Sequence, residues 1–389
     1  MQYILPLVLQ QGRCRLCGAE SVLVSRQMRV CAACIRTDPD HALPLAQAAH
    51  RRSRRLFSLP EEPPQALDGV PCSLCLHGCR MAPGQRGYCN LRENQGGRMA
   101  VLAGGPEVGV LHWYYDPLPT NCVAMDVCGE RGAMRGATGK ANLAVFYGAC
   151  SLNCLFCQNW HYMQNAQTLS PQMSAAALAE AATDRVACIC YFGGDPTPQL
   201  PHALTASRLA AERAVGELSA RKYPAGEHTV SPGRRVRICW ETSGTMHPTY
   251  LRRIVDMSLE SGGTVKFDLK AASEPLHIAL TGFSNRRTLE NFAAAAARAR
   301  ERPDPPLVVA STPMVPGYVD SEEVGAIARV IAALDPDIPY RLLAFFPSFL
   351  MENLPTTSRA HAQRCLDAAS AAGLRHVALG NRHLLGDLY

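Results

Sequence analysis

The chain has 389 residues, enough for one large domain and one or two small ones. Its 47% hydrophobic and 19% charged content excludes a disordered chain, and no apolar run reaches the length of a membrane span. The net charge of +6 is modest and carried almost wholly by arginine, since lysine occurs only at 140, 222, 266 and 270; this calls for neither nucleic acid nor a membrane as partner.

The opening MQYILPLVLQQG lacks a basic leader and a small-residue cleavage site, so a cytoplasmic protein is expected. The 17 cysteines are clustered, which in a reducing compartment points to metal sites rather than disulfides.

Residues 1–36 read as a zinc-ribbon-like module. Cys14, Cys17, Cys31 and Cys34 form two Cys-x2-Cys pairs separated by 13 residues, and four thiolates can close a tetrahedron around zinc. A small redox or disulfide module is the alternative. Residues 37–70 show no clear period and read as a linker, with HRRSRR (50–55) as a solvated stretch or a basic contact patch. Residues 71–140 form a second Cys-rich module. Cys72, Cys75, Cys79 and Cys89 sit among turn glycines at irregular spacing, and suit either a second metal site or a set of buried thiols. RMAVLAGG and VGVLHWYY read as short strands, and the aromatic run at 112–115 as packing. Cys122 and Cys128 are loop thiols or ligands borrowed by a neighbouring site.

From about residue 141 the texture changes. NLAVFYG, VACICYFGG, VRICWETSG, TVKFDLK, PLVVASTPMVPG and YRLLAFF read as buried parallel strands. SAAALAEAAT, PHALTASRLAAERAVGELSA and TLENFAAAAARARE between them read as helices. The expected fold class is α/β: a partial (β/α)6 TIM-like barrel over 141–350, with small Cys-rich N-terminal metal-binding modules and a 351–389 extension closing the barrel. HVALGN reads as one more strand, and 221–235 as a polar insertion, either a lid or an inert excursion.

Ligands collect at the carboxyl ends of parallel strands. Here the strands run out into FYGACSLNCLFCQNW, GGDPTP, ETSG, DLK and VPGYVD. Cys150, Cys154 and Cys157 can hold three irons of a cubane cluster and leave the fourth open to a chelating ligand. A zinc site would need a fourth ligand, with His161 the nearest. Gly193 and Gly194 would let a backbone edge approach such a ligand, with Asp195 or a nearby carbonyl accepting from its ammonium. Glu241 and Ser243 are candidates for ribose hydroxyls or a carboxylate partner. Lys270 would neutralise that carboxylate and Asp268 would orient the lysine. Lys266 reads as solvated at a strand end, and Cys188, Cys190, Cys239 and Cys365 as small core residues.

The Cys150-x3-Cys154-x2-Cys157 spacing, with Phe156 before the last cysteine and GGDP downstream, resembles the radical S-adenosylmethionine superfamily. The resemblance implies a 4Fe-4S cluster on Cys150, Cys154 and Cys157, and S-adenosylmethionine cleaved to a 5′-deoxyadenosyl radical. It also implies that Gly193, Gly194 and Asp195 line the methionine amino group. CSLCLHGCRMAPGQRGYCNLR, CQNW, GGDPTP, ETSG and FDLK resemble the branch related to pyruvate formate-lyase activating enzymes, although the extra cysteines precede the radical motif instead of following it. The N-terminal four-cysteine module and YYDPLPTNCVA are similar to the methanogen family of cobalamin-dependent glutamine C-methyltransferases acting on methyl-coenzyme M reductase. That resemblance implies cobalamin, a methyltransferase activity on a protein or peptide substrate, and a reducing electron donor; no Asp-x-His-x-x-Gly cobalamin motif is present. A glycyl-radical enzyme activase shares the same catalytic residues. A non-catalytic metal-binding scaffold for protein or RNA leaves the ordered rim motifs unexplained.

Overall fold

A computed structural model describes residues 10–120, 122–136, 138–220 and 236–389. The polar insertion expected at 221–235 lies outside these residues.

The N-terminal module is a ribbon of β1 (Gly12–Arg13) and β2 (Glu20–Ser21), followed by α1 (Ala32–Thr37). It does not hang free. Tyr318 Oη accepts from the Ser25 amide at 2.8 Å and donates to the Val30 carbonyl at 2.9 Å, and Met28, Val30 and Ile35 join the core of the whole chain.

The expected linker is a correction. Residues Pro39–Arg55 form a 17-residue helix, α2, with Pro39 at its first position and Ala42, Ala46, Ala49 and Ser53 on one buried stripe. Pro44 and the arginine run mask that period in the sequence. Within HRRSRR, His50, Ser53 and Arg54 are buried rather than solvated. The Arg54 guanidinium lies 3.9 Å from the Tyr88 ring centroid and donates to the Pro60 carbonyl at 2.9 Å.

Two small antiparallel pairs follow: β3 (Val70–Pro71) with β4 (Arg80–Met81), and β5 (Arg92–Gln95) with β6 (Arg98–Val101). Next come the long β7 (Val108–Pro117), β8 (Ala141–Tyr147), α3 (Tyr162–Thr168), β9 (Gln172–Ser174), α4 (Ala175–Ala181) and β10 (Val186–Tyr191). The remainder is α5 (Leu200–Ala220), β11 (Arg237–Thr242), α6 (Pro248–Ser261), β12 (Val265–Asp268), α7 (Glu274–Thr281) and α8 (Arg286–Ala296), then β13 (Val308–Met314), α9 (Ser321–Leu334), β14 (Tyr340–Ala344), α10 (Arg359–Ala371) and β15 (Val377–Gly380).

One nine-stranded sheet runs β15-β14-β13-β12-β11-β10-β8-β7-β9. From β8 through β15 every pairing is parallel and spatial order follows chain order, the winding of a partial barrel rather than of a doubly wound sheet. HVALGN supplies a seventh parallel strand, and β7 flanks β8 antiparallel. Helices cover the outer face, with α9 burying Val324, Ile327, Ala328 and Ile331 behind an N-cap in which Asp320 accepts from the Glu323 amide at 3.0 Å. Alternate residues of the strands point inward, so Cys188 and Cys190, Cys239 and Glu241, and Lys266 and Asp268 form successive interior layers. Among the described residues, no helix is long and apolar enough to cross a membrane.

Candidate active site

A cavity of about 220 Å³ opens at the carboxyl ends of the parallel strands. Cys150, Cys154, Phe156 and Cys157 line it from the loop after β8, and Gly193, Gly194 and Asp195 from the loop after β10. Glu241, Ser243, Asp268 and Lys270 line it from β11, β12 and their ends, with Tyr162 and Asn381 completing the wall. His161 is exposed, stacks on Trp160 with centroids 3.9 Å apart, and is no part of the lining.

The cysteine loop is clamped from three sides. The Asn153 side-chain amide donates to Ser53 Oγ at 2.7 Å and to the His50 carbonyl at 3.1 Å, both on α2. The Asn153 and Leu155 amides donate to the carbonyls of Thr281 (2.8 Å) and Leu280 (3.0 Å) at the end of α7. His77 Nε2 meets the Ser151 carbonyl at 2.7 Å, tying in the second Cys-rich module. The Leu76 amide donates to the Thr245 carbonyl at 2.8 Å, so that module also grips the end of β11. These positioning residues carry no motif. Ser53 and His50 lie about a hundred positions from Asn153, which is why the sequence did not expose them.

Glycines are required at 193 and 194 by close approach within the protein itself. A Cβ on Gly194, whose φ is +64°, would lie 2.1 Å from the Tyr147 carbonyl oxygen, and one on Gly193 would lie 2.6 Å from the Phe146 ring. The loop after β10 is thus stitched directly onto the strand that carries the cysteines. Asp195 is likewise engaged internally. Its carboxylate accepts from the amides of Thr197 at 2.7 Å and Ser243 at 2.9 Å, and from the Thr242 and Ser243 hydroxyls. It ties β10 to β11 at the rim.

Lys266 is the second correction. It is 4% exposed and lies in the barrel interior, 2.5 Å from Glu241 Oε2 and 3.4 Å from Asp268 Oδ1. The scarcity of lysine in an arginine-rich chain was a usable signal for both Lys266 and Lys270. Lys270 pairs with Asp268 at 3.1 Å. Burial works against the Lys270 ammonium, but Asp268 outweighs it and holds its pKa above the ordinary lysine value. Burial likewise works against the Asp268 carboxylate, while Lys266 and Lys270 hold it below the usual range.

Burial pushes Cys154 up to about 11 and Cys157 to about 12, and holds Cys150 well above the ordinary thiol value. Thiols so desolvated stay protonated unless a cation joins them. Among the described residues, the groups whose ligand atoms all lie within 4.8 Å are Cys14, Cys17, Cys31, Cys34 and, separately, Cys122, Cys190, Glu241. The first set, with Cys14 Sγ and Cys34 Sγ 3.8 Å apart, has single-ion geometry. Cys150, Cys154 and Cys157 are spread more widely, as thiols around a multi-iron cluster would be. Cys72, Cys75, Cys79 and Cys89 are also wider than single-ion spacing, although their charges act on one another and the Cys72 amide donates to the Cys79 carbonyl at 2.8 Å.

The three thiols thus stand at the strand ends of a parallel partial barrel, beside a cavity edged by glycine backbone and an acid–lysine pair. Residues 144–330 match the Radical SAM superfamily, and the chain carries that domain. Such a domain implies a 4Fe-4S cluster and S-adenosylmethionine, and the cavity lining offers the donors they need: three thiols, with the Gly193–Gly194 backbone and Lys270 on the same wall. Isethionate sulfite-lyase activating enzymes from Desulfovibrio desulfuricans and Oleidesulfovibrio alaskensis are each 36% identical, over 29% and 40% of this chain. The chain spans 33% and 41% of the length of these curated relatives. Streptococcus suis SuiB bound to S-adenosylmethionine aligns at 12% identity over 66% of this chain and 56% of its own, with a TM-score of 0.43. A radical SAM methyltransferase from Sphaerobacter thermophilus aligns at 16% identity over 63% and 67%, with a TM-score of 0.41. Both structures are too distant to inform the site.

Proposed function

We propose that this chain uses S-adenosylmethionine to generate a radical at the barrel rim and modifies a side chain of a protein or peptide substrate. The observation that carries the reading is the convergence of Cys150, Cys154 and Cys157 with the Gly193–Gly194 edge and the Asp268–Lys270 pair around one cavity. In this reading the three cysteines hold the cluster, which when bound supplies the electron that cleaves S-adenosylmethionine to a 5′-deoxyadenosyl radical. The backbone at 193–194 receives the methionine ammonium. Lys270, kept charged by Asp268, faces the methionine carboxylate, and Glu241 and Ser243 face the ribose hydroxyls. Phe156 shields the cluster side of the cavity, where it meets Phe345 at 6.4 Å between centroids. Cys14, Cys17, Cys31 and Cys34 bind a structural zinc, and the wider set Cys72, Cys75, Cys79 and Cys89 binds a second metal centre. By domain, 1–36 is the zinc ribbon, 37–70 a clamp on the cysteine loop, 71–140 the second Cys-rich module, 141–350 the barrel and 351–389 the extension that adds β15.

The finer reading is C-methylation of a glutamine in methyl-coenzyme M reductase, with cobalamin as the methyl source. Its support is the likeness of the N-terminal half to that methanogen family. The cavity lining contains no histidine among the described residues, so no imidazole stands ready to ligate cobalt, and the lining does not fit a histidine-ligated corrinoid. Activation of a glycyl-radical enzyme is the second reading, favoured by the activating-enzyme relatives. Anaerobic protein with S-adenosylmethionine and a reductant, with and without cobalamin, separates the two. A cobalamin-dependent methyl gain on a glutamine peptide, read by mass spectrometry, supports methylation. A glycyl radical on a partner enzyme, seen by electron paramagnetic resonance without cobalamin, supports the activase.

A further inference from the structure

Beneath the cavity, the lower barrel interior departs from the apolar layers that normally fill such a fold. β10 and β11 place Cys190 directly beside Cys239 in register, and β11 and β12 place Glu241 beside Lys266. Cys122 enters from the segment after β7, and its thiol donates to Glu241 Oε1 at 3.5 Å. The ligand atoms of Cys122, Cys190 and Glu241 all lie within 4.8 Å of one another. They border a void of about 30 Å³, separate from the upper cavity and large enough for one ion or water.

We infer that Cys122, Cys190 and Glu241 form a further metal site, for a single thiophilic divalent cation of the zinc type, with Cys239 next to Cys190 in register. Two thiolates and a carboxylate suit such an ion by softness and number. The charge also balances: two thiolates and Glu241 carry three negative charges, and the ion and Lys266 carry three positive ones. Binding releases the Cys122 and Cys190 protons to solvent and changes no oxidation state. The ion would tie the segment after β7 to the barrel wall. It would also fix Glu241, which lines both the upper cavity and the lower void, from below. The site would therefore act as a positioning element, and it stands independently of the reaction proposed above.

The test uses the full chain, purified anaerobically and loaded with Zn²⁺ or, as a spectroscopic probe, Co²⁺. Wild type should hold one more divalent ion per chain than Cys122→Ser/Cys190→Ser, with iron content unchanged between them. Equal divalent metal in both proteins, or a native disulfide joining any two of Cys122, Cys190 and Cys239, would overturn the inference. Should the variant fail to fold, wild type alone decides. Anomalous scattering at the zinc edge should give a peak between Cys122, Cys190 and Glu241, and a zinc-loaded crystal with a ribbon peak and none there would contradict the site. Iron retention keeps this outcome distinct from failure of the radical reading.

Discussion

The upper and lower halves of the barrel interior each gather cysteines beside a buried carboxylate–lysine pair, but from different parts of the chain. Above, three thiols come from one eight-residue loop, so their spacing is itself a motif. Below, the thiols come from β10, β11 and a segment after β7, and only strand register brings them together. A site on one loop can be read along the chain. A site assembled from neighbouring strands looks like scattered small core residues until the pairing is known. Lys266 joins the halves, since it meets Glu241 on the floor of one and Asp268 in the wall of the other.

The largest effect is expected from removing that link. Lys266→Met would leave Glu241 buried without its cation and Asp268 with Lys270 alone, at a cost of about 3–5 kcal/mol in urea unfolding. A loss below about 1 kcal/mol would mean that Lys266 does not couple the two layers.

Gly194→Ala probes the seam between the cysteine strand and its neighbour. With φ at +64° and a Cβ 2.1 Å from a carbonyl oxygen, it should cost roughly 2–4 kcal/mol and weaken binding of S-adenosylmethionine. Gly139, with φ at +67° and open space around it, supplies the control, and alanine there should cost only about 1–2 kcal/mol. Equal costs at the two positions would show that close approach at 194 is not what the loop depends on.

Acid should act on the clamp and on the outer wall. His50, whose Nε2 donates to the Ala279 carbonyl at 3.0 Å, and His202, paired with Tyr147 Oη at 2.9 Å, are both lowered by burial to about 4. The unfolded chain protonates them near pH 6.5 and therefore binds more protons between the two values. Their contribution is complete above about pH 6.5 and declines as pH falls toward 4, by up to about 1 kcal/mol per pH unit for each. Urea midpoints at pH 7, 6 and 5 should fall in that order, and less steeply in His50→Asn. An unchanged slope would remove His50 from the account.

The smallest effect is expected at the surface. Arg375 and Asp337 pair at 3.0 Å with side chains 64% and 55% exposed, so Arg375→Ala should shift stability by less than about 1 kcal/mol. A larger loss would undo the contrast with the buried Lys266 pairs.

The α/β class, the seven parallel strands and the lining of the upper cavity were legible because apolar runs, helical periods and one loop motif are local signals. The helix at 39–55 was not, because an internal proline and an arginine cluster hid an alanine stripe whose partner, α7, lies more than two hundred residues away. Asp195 lies in the cavity lining, and its partners within the protein were not legible. Its carboxylate serves Thr197, Thr242 and Ser243, which only the pairing of β10 with β11 brings within reach.

The central claim is that Cys150, Cys154 and Cys157 make this cavity a site of S-adenosylmethionine cleavage. The most direct measurement is 5′-deoxyadenosine formation by anaerobically reconstituted full-length protein with a strong reductant, run beside the Cys150→Ala/Cys154→Ala/Cys157→Ala variant. Wild type should give product and the variant none, and the variant should lose the iron of one cluster and keep the metal of its N-terminal ribbon. Product from a folded variant, or none from wild type carrying its full iron, would contradict it.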